Sequence, residues 1–244
     1  FLMRLSRTQK HLLSTIKTSL PVKSIEDASV IMSSLIFGEY DIDDKGGDDL
    51  IALSVDGSIA CIELRTRHLT FAFASRFRSI VMSLQQDANI ESVIIWSSEE
   101  HFSTGGRLSG EESHDAFMKK EVPELALMLY TFYTSFSCIQ SLKVPLFAAV
   151  QGKLIGAGVS LSLWFDSRIS SDTTSFQVNF LNLSLSPGLG MTGTYPGVTS
   201  WRDMAYLLYS NTELTAENAK DLCMVSSVHS SKSTDLLREA KEIV

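Results

Sequence analysis

The chain has 244 residues, of which 44% are hydrophobic, so it is long enough to bury the core of one large domain. Its formal net charge of −7 disfavours a nucleic-acid surface, and no apolar run reaches the length of a membrane-spanning helix. The three cysteines, Cys61, Cys138 and Cys223, lack the spacing of a metal site or a redox motif. We therefore expect no metal and reduced thiols in an intracellular compartment, with the mitochondrion and the plastid as candidates.

Residues 1–20 form an amphipathic stretch that is basic, rich in Ser and Thr and free of acidic residues. This composition is typical of a transit-like leader. Residues 40–49 are charged and contain glycine, which indicates a linker. We therefore divide the chain into an N-terminal helical extension with its linker, residues 1–48, and a domain at 49–244.

The first elements of the domain are a hairpin and a helix. Leu50 to Val55 and Ser58 to Leu64 alternate as strands around the turn dipeptide Asp56-Gly57. The apolar spacing of Phe71 to Gln86 predicts a helix with one buried face.

A strand at Val93 to Trp96 is followed by the small-residue turn His101 to Gly106. Beyond the turn, the polar segment Ser109 to Lys120 is predicted to flank the site. Glu121 to Leu142 is predicted to be a helix whose aromatic stripe belongs to the core or to a subunit contact.

The most informative stretch is Ala148 to Pro196, which predicts a strand, a turn, a helix, a second strand and a second glycine-rich turn. Gly152, Gly156 and Gly158 allow a close backbone approach before a helix that begins near Val159. A helix N-terminus offers free N–H groups and the positive end of a dipole, which suit a developing oxyanion. Two strand–turn–helix junctions, each with one N–H, make an oxyanion hole.

These motifs resemble those of the crotonase (enoyl-CoA hydratase/isomerase) superfamily. The family's F-x-x-G-x-D turn corresponds to Phe102 to Arg107, and its A-x-N-G-x-x-x-G-G-G-x-E-L motif to Ala149 to Leu161. Its D-x-R-I-A-S and P-G-x-G-x-T elements correspond to Asp166 to Ser171 and Pro187 to Thr192. The resemblance implies an α/β fold, a crotonase-like spiral of repeated β-β-α units with surrounding helices.

The resemblance also implies the site residues. The backbone N–H groups of Gly106 and Ala157 would form the oxyanion hole, and further residues would contact the substrate: Phe102, Gly105, Arg107 and Phe180. The chain departs from the family where hydratases carry two glutamates, since Ser160 and Phe180 stand there. Neither can act as a carboxylate acid or base, so ordinary hydration is not expected. Ser160 and Asn179 are the polar candidates left near these two positions.

Gln151-Gly152 together with Asn179-Phe180 looks nearest to the glutamate-lacking decarboxylases of polyketide β-branching cassettes. The implied function is enolate stabilisation on an acyl thioester, with decarboxylation as the leading chemistry. The substrate carrier would be coenzyme A or the phosphopantetheine of an acyl carrier protein, with no other cofactor. The alternative is a catalytically inactive pseudoenzyme that serves as a subunit of a larger complex. Partners would be acyl-CoA or carrier protein and further subunits, as a homo-oligomer or larger assembly, without nucleic acid or a membrane span.

The resemblance offers a second interpretation of residues 1–20. Leu5 to Leu12 is similar to the family's C-terminal helix, while only one helix, Thr234 to Ile243, follows the last family motif. The domain at 49–244 would then lack the usual C-terminal helices, and residues 1–20 would end a preceding unit of a tandem array. The leader and the tandem array remain open alternatives at this point.

Overall fold

A computed structural model of the protein describes residues 47–107, 119, 122–230 and 233–244. Both interpretations of residues 1–20 concern residues outside this range, and so does nearly all of the predicted extension. The polar segment 109–120 also lies outside the described residues, apart from Lys119.

The predicted hairpin is confirmed. A short helix, α1 (Gly47–Leu50), leads into β1 (Ile51–Asp56), which pairs antiparallel with β2 (Ile59–Leu64). Gly57 has φ of 61°, a left-handed conformation that glycine adopts without a Cβ clash. The Asp-Gly signal therefore marks the turn correctly.

The main sheet has six strands in the order β1-β2-β3-β4-β6-β9. From β2 onward every neighbouring pair is parallel. The added strands are β3 (Ser92–Ser97), β4 (Leu146–Val150), β6 (Ser167–Ser171) and β9 (Ser227–His229). Both faces of β3 are covered, which explains its continuous apolar run.

A smaller sheet holds the segment that precedes the predicted glycine-rich helix. It consists of β5 (Lys153–Ile155), β7 (Ser175–Gln177) and β8 (Glu213–Thr215) in that order. The helix α4 (Ala157–Ser162) follows β5. Because it begins at Ala157, two residues before the predicted Val159, the Ala157 N–H belongs to its first turn.

The helix α2 (Phe71–Leu84) packs against β1 of the main sheet, and the helix α3 (Val122–Ser137) packs on α2. The helix α2 is capped by Thr70, whose Oγ1 accepts from the Phe73 N–H at 3.1 Å. The helix α3 contacts α2 through Phe136, whose ring centroid lies 5.3 Å from that of Phe77. Its α-helical part ends at Ser137 and continues as a 3₁₀ turn, so the predicted helix to Leu142 is too long.

The remaining helices are α5 (Met191–Thr194), α6 (Trp201–Ser210), α7 (Ala216–Asp221) and α8 (Ser233–Ile243). The predicted terminal helix is confirmed as α8, which buries Leu236 and Ala240 against the opposite face of the main sheet. Within the described part of the chain, no helix combines the length and the apolar character that crossing a membrane requires.

Candidate active site

The first of the two predicted turns lies directly after β3 and is held against β5. Ser103 N–H donates to Lys153 O at 3.3 Å, and Ile155 N–H donates to Ser103 O at 3.0 Å. Phe102 is fully buried in the core beneath this turn. The turn is therefore part of the sheet framework, and its backbone has little freedom to move.

Gln151 ties the ends of two neighbouring strands together. Its buried Nε2 donates to Ser97 O at 3.0 Å and to Glu99 O at 2.6 Å. Since Ser97 ends β3 and Gln151 follows β4, the side chain fixes where the chain leaves each strand. It positions the first turn from a distance and lies outside the cavity that the two turns border.

Glycine is required where the second turn meets its neighbours. Gly156 has φ of 52°, and a Cβ there would lie 2.8 Å from Asn179 Oδ1. A Cβ on Gly158 would overlap the backbone carbonyl of Ser103. These two glycines allow α4 to start directly against the first turn.

The two turns bring the predicted backbone donors together. A Cβ built on Gly105 would lie 3.4 Å from the Ala157 nitrogen, so the residue before Gly106 contacts the start of α4. Within the described residues, neither the Gly106 N–H nor the Ala157 N–H donates a hydrogen bond. Both line one cavity, where two free donors can bind a carbonyl oxygen as it becomes negative.

This cavity, called the acyl cavity below, has a volume of about 350 Å³. It is also lined by four other predicted site residues, Gly105, Arg107, Asn179 and Phe180, and by Gly156, which precedes α4. Its apolar wall includes Phe71, Leu125, Leu129, Phe132, Leu183 and Leu185. Among the described residues that line it, none is Asp or Glu. The lining suits an apolar acyl group next to two hydrogen-bond donors.

Two predicted site residues do not line the acyl cavity. Ser160 is fully buried, and its Oγ donates back to Gly156 O at 3.4 Å within α4. Phe102 packs into the core, as described above. Asp166, which begins the D-x-R-I-A-S element, accepts from Leu146 N–H at 2.8 Å with Oδ2 and lies outside the cavity.

The aromatic stripe on α3 has two roles. Phe136 is a core residue, as predicted, whereas Phe132 and Tyr133 are half-buried and line the acyl cavity. Burial raises the pKa of the Tyr133 phenol, so it stays protonated. The prediction of core or subunit contact is therefore incomplete, because the stripe also forms part of the acyl wall.

Sequence reasoning missed His68, which lines the acyl cavity beside the first turn. Its Nδ1 lies 3.4 Å from Thr104 Oγ1, and Arg67 Nε donates to its Nε2 at 3.3 Å. Burial lowers the pKa of His68, and the nearby charges of Arg67 and Arg107 lower it further. His68 belongs to no sequence motif, and the parallel pairing of β2 with β3 brings it to the first turn.

His101 lies outside the acyl cavity. It borders a separate polar depression of about 630 Å³, where its Nδ1 accepts from Lys153 N–H at 3.4 Å. That contact supports the turn, in keeping with the interpretation of His101 as a turn residue.

The described residues contain no cluster of His, Cys, Asp and Glu side chains that could hold a metal ion. The cysteines are unpaired: Cys61 is buried, Cys138 half-buried and Cys223 exposed.

Comparisons with known proteins agree with this architecture. Residues 55–244 match the enoyl-CoA hydratase/isomerase family model. A peroxisomal Delta(3,5)-Delta(2,4)-dienoyl-CoA isomerase of Arabidopsis thaliana is 24% identical over 195 residues, which cover 76% of this chain and 70% of that protein. A probable enoyl-CoA hydratase of Mycobacterium tuberculosis is 29% identical over 150 residues, 59% of this chain and 56% of that protein.

Solved structures show the same fold. A Thermobifida fusca protein in complex with acetoacetyl-CoA has a TM-score of 0.70 and 22% identity, covering 82% of this chain and 80% of that one. An enoyl-CoA hydratase from Bacillus anthracis also has a TM-score of 0.70 and 22% identity, covering 80% and 74%. The predicted α/β crotonase-type fold is confirmed. Since the family model covers most of its length, the chain belongs to the enoyl-CoA hydratase/isomerase family of the crotonase superfamily.

Proposed function

We propose that the protein binds an acyl thioester in the acyl cavity and stabilises its enolate, with decarboxylation as the reaction. One observation carries the proposal: among the described residues neither the Gly106 N–H nor the Ala157 N–H has a hydrogen-bond partner, and both residues line an apolar cavity whose described lining has no carboxylate. The thioester carbonyl oxygen would accept from both N–H groups. Relatives whose names include hydratase or isomerase activity make acyl-CoA the expected substrate class.

The lining favours loss of carbon dioxide over addition of water. Hydration needs a positioned acid and base, and Ser160 and Phe180 occupy the family's two glutamate positions. Decarboxylation needs a sink for the electron pair, which an oxyanion hole supplies. Removal of one such donor typically lowers the rate by about 10²–10³-fold, which shows how strongly each N–H stabilises the developing charge. Two such donors can therefore support decarboxylation without a carboxylate base.

The remaining polar groups suit a carboxyacyl substrate. Arg107 lies exposed at the cavity, where its guanidinium can bind a substrate carboxylate through charge-assisted hydrogen bonds. Phe180 is 7% exposed and keeps its part of the cavity dry. A carboxylate that leaves this salt contact for the apolar region loses solvation, which favours its conversion to neutral carbon dioxide. The carrier would be coenzyme A or the phosphopantetheine of an acyl carrier protein.

The pseudoenzyme alternative is supported by the replacement of both glutamates. A role in an assembly would draw on α6, where Trp201, Tyr206 and Tyr209 are 63%, 61% and 81% exposed. Large exposed aromatic groups of this kind are enriched at subunit contacts. The predicted homo-oligomer or larger assembly stays a prediction, as does a relation to polyketide β-branching decarboxylases.

The decisive experiment offers the purified chain methylmalonyl and crotonyl thioesters, each on coenzyme A and on carrier protein. We expect carbon dioxide release from the first and hydration of the second near background. Gly106→Pro removes the donor N–H and should abolish release. Gly106→Ala retains the N–H, and its methyl would meet no described residue within 4 Å, so it should keep much more activity than the proline variant.

Rapid hydration of the crotonyl thioester would contradict the proposal. A wild-type protein that neither binds nor converts any of the four thioesters would leave the pseudoenzyme as the function.

A further inference from the structure

We propose that His68 is the residue that transfers protons in the acyl cavity, where it removes the α-proton of a thioester held by the two backbone donors. The inference rests on the proposed function, because it requires a thioester in the cavity. It extends that function to α-proton exchange and to the shift of an adjacent double bond.

The backbone holds His68 directly against the oxyanion turn. His68 and Gly105 form a parallel β-bridge, Leu69 N–H donates to Gly105 O at 3.0 Å, and Thr104 N–H donates to Arg67 O at 2.8 Å. Gly105 immediately precedes the donor Gly106. His68 therefore lines the cavity next to the turn residue that precedes the donor, and this turn is where the carbonyl oxygen would bind.

The contacts of the ring indicate which nitrogen is the base. Arginine can only donate, so the 3.3 Å contact from Arg67 Nε leaves a lone pair on His68 Nε2. The proton of the neutral ring then lies on Nδ1, 3.4 Å from Thr104 Oγ1, which orients the ring. Arg67 is exposed, so its long bond to Nε2 can be exchanged for a substrate proton.

The surroundings of His68 keep it neutral and ready to accept a proton. The charged and titratable groups around it among the described residues are Arg67 beside it, Arg107 after the first turn and Tyr133 on α3. Burial lowers the pKa of His68 below its ordinary 6.5, both guanidinium groups lower it further, and the Gly105 carbonyl acts in the opposite direction. The raised pKa of Tyr133 keeps its phenol protonated. Among the described residues of the lining, His68 is thus the group that can act as a base at neutral pH.

The chemical step balances without a co-reactant. The α C–H bond breaks, its proton forms an N–H bond at His68 Nε2, and the electron pair moves onto the thioester oxygen as an enolate. Gly106 N–H and Ala157 N–H hold that oxygen. If the imidazolium first exchanges its Nε2 proton with solvent water, reprotonation of the α-carbon inserts a solvent proton, which is the exchange. Transfer of the Nε2 proton to the γ-carbon of a 3-enoyl thioester instead moves the double bond.

The test measures deuterium uptake from heavy water at the α-carbon of 3-butenoyl-CoA, with conversion to crotonyl-CoA followed in parallel. His68→Gln keeps a polar amide near Thr104 but cannot accept the proton. We expect it to lower both rates by about 10²–10⁴-fold, with thioester affinity within about threefold of wild type by calorimetry. The matched control is His101→Gln, since His101 lies outside the acyl cavity and a glutamine oxygen can still accept from Lys153 N–H.

The pH profile separates a proton-transfer role from a structural one. Because the active form is the neutral ring, the wild-type rate should fall as pH decreases through the pKa of His68, below 6.5. The acid limb should be absent in the residual rate of His68→Gln. If the His68→Gln variant exchanges the α-proton at the wild-type rate and keeps the acid limb of the pH profile, the inference is overturned.

Two further outcomes distinguish this inference from the proposed function. Wild type that binds and decarboxylates methylmalonyl-CoA, yet exchanges no α-proton, overturns only the role of His68. Wild type that binds no thioester overturns both.

Discussion

Replacing Gly158 by alanine should separate the two turns that carry the proposed oxyanion hole. A Cβ at Gly158 would lie 2.8 Å from the Ser103 carbonyl carbon and closer still to its oxygen, whereas real Cβ contacts essentially never fall below 3.0 Å. The obstacle is backbone held on β5 by Ser103 and Ile155, so it cannot turn aside as a side chain would. Relief requires α4 and the first turn to separate by roughly 1 Å, and a misplacement of that size can cost about 10²-fold in rate.

The overlap should also cost about 1–3 kcal/mol of stability, which for a domain of this size lowers Tm by about 2–12 °C. The assays are carbon dioxide release from methylmalonyl-CoA, thioester affinity by calorimetry and thermal unfolding. Gly193→Ala is the matched control, because its Cβ would meet nothing within 4 Å on the short exposed helix α5. If the Gly158→Ala variant has the same rate, thioester affinity and Tm as the control, the idea that close contact between the turns builds the site is refuted.

Arg168→Met should lower the unfolding free energy by at least about 3 kcal/mol in urea denaturation, because buried Arg168 donates to the carbonyls of Met224, Ser162 and Phe165 and its removal takes one hydrogen bond from each; a loss below 1 kcal/mol would contradict this. Thiol labelling of the native protein at pH 8 should modify exposed Cys223 first, since burial raises the pKa of Cys138 to about 11 and also raises that of Cys61. Equal labelling rates of all three thiols before denaturation would show that the core is open.

Much of the local structure follows from short-range sequence signals. Asp56-Gly57 predicts the hairpin, and the apolar spacing after Thr70 predicts α2, because each depends on residues within one or two turns of the chain. The α-helical end of α3 at Ser137 was missed, since no glycine or proline marks the change to a 3₁₀ turn.

The resemblance to the crotonase superfamily predicts Gly106 and Ala157 as the backbone donors, a role that depends on the chain path and tolerates changes in side chains. The direction of a side chain is a different matter. Ser160 was placed near the substrate by alignment, yet its short hydroxyl bonds Gly156 O within α4. The helical pattern predicts that Phe132 and Tyr133 belong to the core or to a subunit contact. Only the position of α3 in the folded protein places them on the cavity wall.

The sequence by itself identified the family and the two glycine turns and predicts the replacement of the glutamate pair, because ordered motifs and small residues are visible along the chain. The tertiary structure alone decided that His68 joins them. His68 lies 37 residues before Gly105 and belongs to no motif, and parallel pairing of β2 with β3 brings the two together. A contact that depends on sheet register has no signature in local sequence. The two residues lie in separate segments of the chain and meet only when the strands pair.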